Sequence, residues 1–147
     1  MRRSLRLSPK SVFLSHSSKD RAFVEKLANV LASHRIPVWY SRVDIQGAKQ
    51  WHDEIGRALK NSDWLVVVLS PNSVKSPWVK HEVLFALRSA KFNNRIVPVL
   101  LKDCKIDDLS WTLENFQIVS FIKSFSDGCR NLLKVWGRVY DPKFIHD

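Results

Sequence analysis

Six consecutive apolar residues, Trp64-Leu65-Val66-Val67-Val68-Leu69, stand between Asp63 and Ser70. So short and β-branched a run reads as a strand buried on both faces, the habit of parallel sheets. Residues 11–15 (Ser-Val-Phe-Leu-Ser), 36–40 (Ile-Pro-Val-Trp-Tyr) and 96–101 (Ile-Val-Pro-Val-Leu-Leu) predict three more strands, and 116–121 a fifth. Pro98 is an awkward residue for a central strand, since it cannot donate to the ladder. Between these runs the apolar period lengthens to that of a helix. Phe23, Leu27, Val30 and Leu31 stripe a helix over residues 20–34, and Trp51, Ile55, Ala58 and Leu59 one over 50–60. Val79, Val83, Ala86, Leu87 and Ala90 stripe a third over 77–91, and Leu132, Leu133 and Trp136 a fourth over 127–139. Ser17 with Asp20 makes a capping box for the first helix. Ser76 followed by Pro77 is a cap and a residue preset for the first turn of the third. The polar loop 41–49 contains Gly47, which can take a positive φ. Strands alternating with helices along one short chain predict an α/β fold, a parallel sheet with helices on both faces.

One carboxylate stands out in this pattern. Glu82 belongs to Ser76-Pro77-Trp78-Val79-Lys80-His81-Glu82, directly after the most apolar strand. At about 100° per residue, Trp78 and Glu82 stack one turn apart on the border of the apolar face, where Glu82 is neither fully buried nor free. In open α/β sheets, ligands bind beyond the carboxyl ends of the strands, and loop 70–76 delivers this helix there. The plain alternative is a solvated glutamate favoured by the helix dipole.

Length and composition narrow the choice. A chain of 147 residues is of single-domain size and can bury a real core. Twenty-four Lys and Arg against 14 Asp and Glu give a net charge of +10, which favours anionic partners. Residues 1–10 read as a basic N-terminal tail without the apolar segment of a signal peptide, and 141–147 as a C-terminal tail. No apolar run approaches the roughly 20 residues that span a bilayer, so a cytoplasmic protein with no membrane partner is expected. Cys104 and Cys129 are too isolated for a disulfide framework and suit a reducing compartment. No metal-ligand spacing, Ser-His-Asp arrangement, Gly-x-Gly-x-x-Gly or Walker loop is present, which argues against a metal site, a dehydrogenase and a kinase-type nucleotide site. Nucleic acid as a partner lacks a basic recognition helix or an RNA-binding aromatic motif to carry it.

Five segments in order, taken together, resemble a TIR (Toll/interleukin-1 receptor) domain of the bacterial NAD-cleaving type. They are Val12-Phe-Leu-Ser-His-Ser-Ser-Lys-Asp20, Pro37-Val-Trp-Tyr40, Ile55-Gly-Arg-Ala-Leu-Lys-Asn-Ser-Asp63, Val66-Val-Val-Leu-Ser-Pro71 and Ser76-Pro-Trp-Val-Lys-His-Glu82. Each is weak alone. The resemblance covers most of residues 11–140 and implies a flavodoxin-like five-stranded parallel sheet of order 2-1-3-4-5. Its switch point would lie between the strands ending at Ser15 and Ser70. The family pattern often has Cys after the tryptophan and Leu after the glutamate; here Val79 and Val83 keep those positions apolar.

The resemblance implies one of two activities. One is NAD+ nucleosidase chemistry, which cleaves the nicotinamide–ribose bond to give ADP-ribose or a cyclic isomer in an immune, antiphage or signalling response. NAD+ would then be the substrate, with no separate cofactor, and the glutamate of a W-x-x-x-E pattern, here Trp78 and Glu82, would be essential. The other is a non-catalytic scaffold acting through contacts between TIR domains. The NAD+ reading makes Glu82 the catalytic residue. It places Ser15, His16 and Ser17 after the first strand as substrate contacts, although Ser17 serves equally as a cap. Arg42 and Lys49 either meet the pyrophosphate or are solvated loop charges. Asp44 is positioned to orient a ribose. Trp39 lines the nicotinamide pocket or belongs to the core, and Trp78 either stacks on substrate or supports Glu82 by packing. Self-association, a separate sensor or effector protein, or a bound ligand is the expected trigger, with loop 41–49 packing on a neighbouring subunit.

Overall fold

The computed structural model describes residues 8–41 and 48–144. Its sheet holds β1 (Val12–Ser15), β2 (Val38–Trp39), β3 (Trp64–Leu69), β4 (Ile96–Leu100) and β5 (Val119–Ser120). All five are parallel in the order β2-β1-β3-β4-β5, as expected of a flavodoxin-like fold. Four helices connect or follow them: α1 (Arg21–Ser33), α2 (Ala48–Asn61), α3 (Pro77–Arg88) and α4 (Phe125–Val135).

Side-chain alternation along the strands fills two separate cores. Val12 and Leu14 of β1 and Val66 and Val68 of β3 join Val24, Leu27, Val30 and Leu31 of α1 and Leu132 and Leu133 of α4 on one face. Phe13, Leu65, Val67 and Leu69 point the other way, against Ile55 and Leu59 of α2 and Val79, Val83 and Ala86 of α3. Every residue of β3 is buried, which is why its sequence shows no alternation. Because Phe13 faces α3, Ser15, two residues on, faces it too.

Pro98 does sit inside a central strand. The Leu65 N–H bonds the Arg95 carbonyl and the Leu101 N–H bonds the Leu69 carbonyl. Odd-numbered residues of β4 therefore serve the β3 ladder, and the missing N–H of Pro98 faces β5. Pairing with β5 begins only at Val99 and Val119, so no ladder bond is lost.

Several expected elements have different limits, among them the helix expected over 77–91, which ends at Arg88. The strand at 36–40 shrinks to two residues on the sheet edge, where Pro37 supplies only its carbonyl, to the Val12 N–H at 2.8 Å. The strand at 116–121 is likewise two residues, Val119–Ser120. The last helix runs over Phe125–Val135 instead of 127–139. It starts early because the Ser124 hydroxyl caps the Asp127 N–H at 3.0 Å. It stops early because Gly137 takes φ 67° and the Gly137 and Arg138 N–H groups turn back to the Lys134 and Leu133 carbonyls. Residues 8–10 are tied to the domain: the Lys10 and Ser11 N–H groups both donate to Asp63, and Arg138 donates to Ser8.

Two helical glycines give opposite expectations. A Cβ on Gly56 in α2 would meet nothing within 4 Å, whereas one on Gly128 in α4 would overlap the buried Phe121 ring. Gly56→Ala should stabilise the fold by up to about 1 kcal/mol through helix propensity. Gly128→Ala should destabilise it by about 1–3 kcal/mol despite that propensity. Urea unfolding monitored by tryptophan fluorescence measures both, and equal signs would contradict the packing described.

Candidate active site

The carboxyl ends of β1 and β3 lie side by side, with Ser15 opposite Val67 in the register. The chain leaves β3 through Ser70 and re-enters a helix at Ser76, whose hydroxyl accepts the Val79 N–H at 3.3 Å, with Pro77 opening α3. This cap fixes the rotation of α3. Buried positions on the helix are Val79, Glu82, Val83 and Ala86, the i, i+3, i+4, i+7 spacing of a core stripe. Glu82 therefore occupies a position that an aliphatic side chain would normally fill. It is only 7% exposed, more deeply buried than its border position implied.

The Ser15 hydroxyl donates to Glu82 Oε1 at 2.6 Å. Burial pushes the Glu82 pKa up to about 8, partly opposed by this hydrogen bond. The other carboxylate oxygen has no hydrogen-bond partner among the described residues, and the side chain lines an open cleft.

A second acid braces the loop that carries α3. Asp20 is buried, and its carboxylate accepts the Ser70 hydroxyl at 2.5 Å and the Asn72 side-chain N–H at 3.1 Å. The expected capping box is therefore not made. Ser17 accepts the Lys19 N–H at 3.3 Å, but Asp20 reaches across the sheet instead of back to Ser17. Ser70 and Ser73 close the turn, the Ser73 N–H donating to the Ser70 hydroxyl and the Ser70 N–H to that of Ser73.

The cleft beside Glu82 has a volume of ≈ 180 Å³. That is below the roughly 300–1,000 Å³ of pockets enclosing drug-sized ligands, so the described walls enclose less space than a whole dinucleotide fills. His16, Ser17, Trp39, Trp78 and Glu82 all line it, bringing together candidates from the loop after β1, from β2 and from α3. Trp39 stacks on Phe13 with ring centroids 5.0 Å apart, so it serves core and cleft at once. His16 donates from Nδ1 to the Leu14 carbonyl at 3.3 Å, leaving Nε2 as an acceptor. Burial lowers its pKa, against the opposing pull of the Leu14 carbonyl, which favours the neutral ring. Ser15 lies behind this wall, its hydroxyl engaged with Glu82. Arg42 and Asp44 fall outside the described residues, as does the side chain of Lys49, whose backbone lies in the first turn of α2. Arg21, the first residue of α1, lines the cleft and was not expected there. Its signal in the sequence is its place at the start of the helix that follows β1. Ser18, Ser41 and Ser76 also line the cleft.

A doubly wound parallel sheet with a buried acid beside a cleft at its switch point, between β1 and β3, defines a flavodoxin-like α/β class. Within that class the chain belongs to the TIR domain family, whose profile matches residues 12–133. It is 30% identical over 103 residues to the 2′ cyclic ADP-D-ribose synthase AbTIR of Acinetobacter baumannii, a match spanning 69% of this chain and 38% of that protein. It is 34% identical over 90 residues to the NAD(+) hydrolase TirS of Staphylococcus aureus, covering 60% of this chain and 32% of that one. The matches thus span about a third of the length of these curated relatives. The TIR domain of a Toll-related receptor from Hydra magnipapillata superposes with a TM-score of 0.69 at 19% identity, over 86% of this chain and 98% of that one, a likeness of fold. No helix among the described residues is long and apolar enough to cross a membrane.

Removing the Asp20 carboxylate leaves Ser70 and Asn72 without their acceptor inside the turn. Asp20→Ala should lower stability by about 2–3 kcal/mol and loosen loop 70–76, raising amide exchange there well above that of β4. Unchanged exchange in that loop would contradict its role as a brace.

Proposed function

We propose that this chain cleaves the nicotinamide–ribose bond of NAD+, with Glu82 as the catalytic residue. The reading rests on a buried carboxyl that lines the cleft at the switch point of a TIR fold, bonded by Ser15 on one oxygen and by no described residue on the other. Relatives named as a cyclic ADP-ribose synthase and an NAD(+) hydrolase support it.

The chemistry suits a single carboxylate. Nicotinamide leaves as a neutral ring, its positive nitrogen taking the bonding pair, so no general acid is needed. Positive charge passes to the ribose as an oxocarbenium ion. An ionised Glu82 in a poorly solvated site stabilises that charge more than it would in water. Water, or a hydroxyl of the same molecule, then adds to the anomeric carbon and releases a proton, giving ADP-ribose or a cyclic isomer. A neutral His16 accepting through Nε2 offers a hydrogen-bond acceptor at the cleft wall without competing positive charge. Arg21 is the described cation of the cleft and supplies the attraction for the pyrophosphate.

Two consequences follow from the raised Glu82 pKa. Only the ionised form is active, so kcat/KM should rise roughly tenfold per pH unit below about 8 and level off above it. Glu82→Gln should remove at least about a hundredfold of kcat while remaining folded; full turnover by this variant would exclude the assignment. The folded state holds the proton more tightly than the unfolded chain, whose carboxyl titrates near 4.5. Stability from Glu82 is therefore present at low pH and lost as pH rises through about 8. Glu82→Gln should accordingly raise Tm by about 3 °C or more at pH 9 and little at pH 4, as calorimetry would show. A lower Tm at pH 9 would contradict the burial cost.

A further inference from the structure

Ser15 ends β1 with 0% exposure, on the face that packs against α3. A hydroxyl there is costly unless it is bonded. Its hydrogen bond among the described residues is the one to Glu82 Oε1 at 2.6 Å, across 67 residues of sequence. Since Ser15 lies behind the cleft wall, the hydroxyl can act on substrate only through Glu82.

Resting on the NAD+ reading, we propose that Ser15 is the positioning residue of the active site: its hydroxyl holds Oε1 so that Oε2 faces the cleft, and it favours the acceptor-only, ionised carboxylate. No other described group takes that part. From the loop after β1, the His16 ring is engaged by the Leu14 carbonyl and Asp20 by Ser70 and Asn72. From the first turn of α1, Arg21 lines the cleft, and on α3 the neighbours are Lys80 and His81. None of them forms an ion pair with Glu82 among the described residues, and burial and Ser15 are the two causes of its displaced titration. Ser15 is the one that lowers it.

The test reads Glu82 directly and independently of turnover. The chain contains four glutamates, Glu25, Glu54, Glu82 and Glu114. With side-chain carboxyl 13C labelling they give four resonances, and Glu82→Gln assigns the one of interest. In Ser15→Ala the Glu82 titration should move up by about one pH unit, and Ser15→Thr, which keeps the hydroxyl, should restore it. The acid limb of kcat/KM should move with the resonance, costing about tenfold at pH 7, with KM for NAD+ unchanged because Ser15 does not touch substrate. Ser15→Cys, a weaker donor of similar size, should lie between, and supplies the measurement if Ser15→Ala does not fold. A Glu82 titration identical in wild type and Ser15→Ala, with nicotinamide release intact, would overturn the proposal. A shifted titration in a protein that releases no nicotinamide would instead count against the NAD+ reading and leave the Ser15–Glu82 coupling standing.

Discussion

A carboxyl group 7% exposed on the inner stripe of α3 is the constraint around which this end of the sheet is arranged. An unpaired carboxylate in a protein interior is so unfavourable that it acquires a partner or a proton. Glu82 does both, accepting from Ser15 at 2.6 Å and titrating near 8. Retaining the acid costs stability wherever it is ionised, the expected signature of a residue kept for chemistry.

Around it the two strand ends are cross-braced. Ser15, ending β1, holds Glu82 on the helix that follows β3; Ser70, just after β3, holds Asp20 at the start of the helix that follows β1. Each βα unit thus presents a serine to the acid of the other. Two short bonds spanning 67 and 50 residues tie the helices that flank the cleft to the neighbouring strand. That fixes the floor of the cleft on rigid elements. The aromatic walls, Trp39 on Phe13 and Trp78 beside Glu82, are supported from the core below.

The caps at Ser76 and Pro77 and the two-faced core were legible because each depends on local pattern: a β-branched run, a cap, a helical stripe; the strand order, which is not local, came only with the family resemblance. Glu82 was legible as a candidate, yet its depth was not. Assigning it to the border ignored that residues 79, 82, 83 and 86 form one stripe in which only the chemistry of the side chain is out of place. The predicted stripe extended to Ala90, which is exposed, because α3 ends at Arg88 and a tight 3-10 turn carries Phe92 inward instead. Asp20 looked like half of a capping box for the same local reason; its partner Ser70 is 50 residues away and belongs to tertiary structure. The role of Ser15 as the holder of the acid was equally non-local. Arg21 was passed over because a charged residue at a helix start normally faces water.

The net charge of +10 gives the chain a general attraction for anions, whereas the proposed NAD+ cleavage turns on where one negative charge is held. The most direct measurement is incubation of the purified chain with NAD+ at pH 9, where Glu82 is ionised, with chromatographic quantitation of nicotinamide and of the ADP-ribose products. The account predicts one nicotinamide released per NAD+ consumed, with ADP-ribose or its cyclic isomer in equal amount. NAD+ left intact over a wide range of protein concentration, by a folded chain, would contradict it.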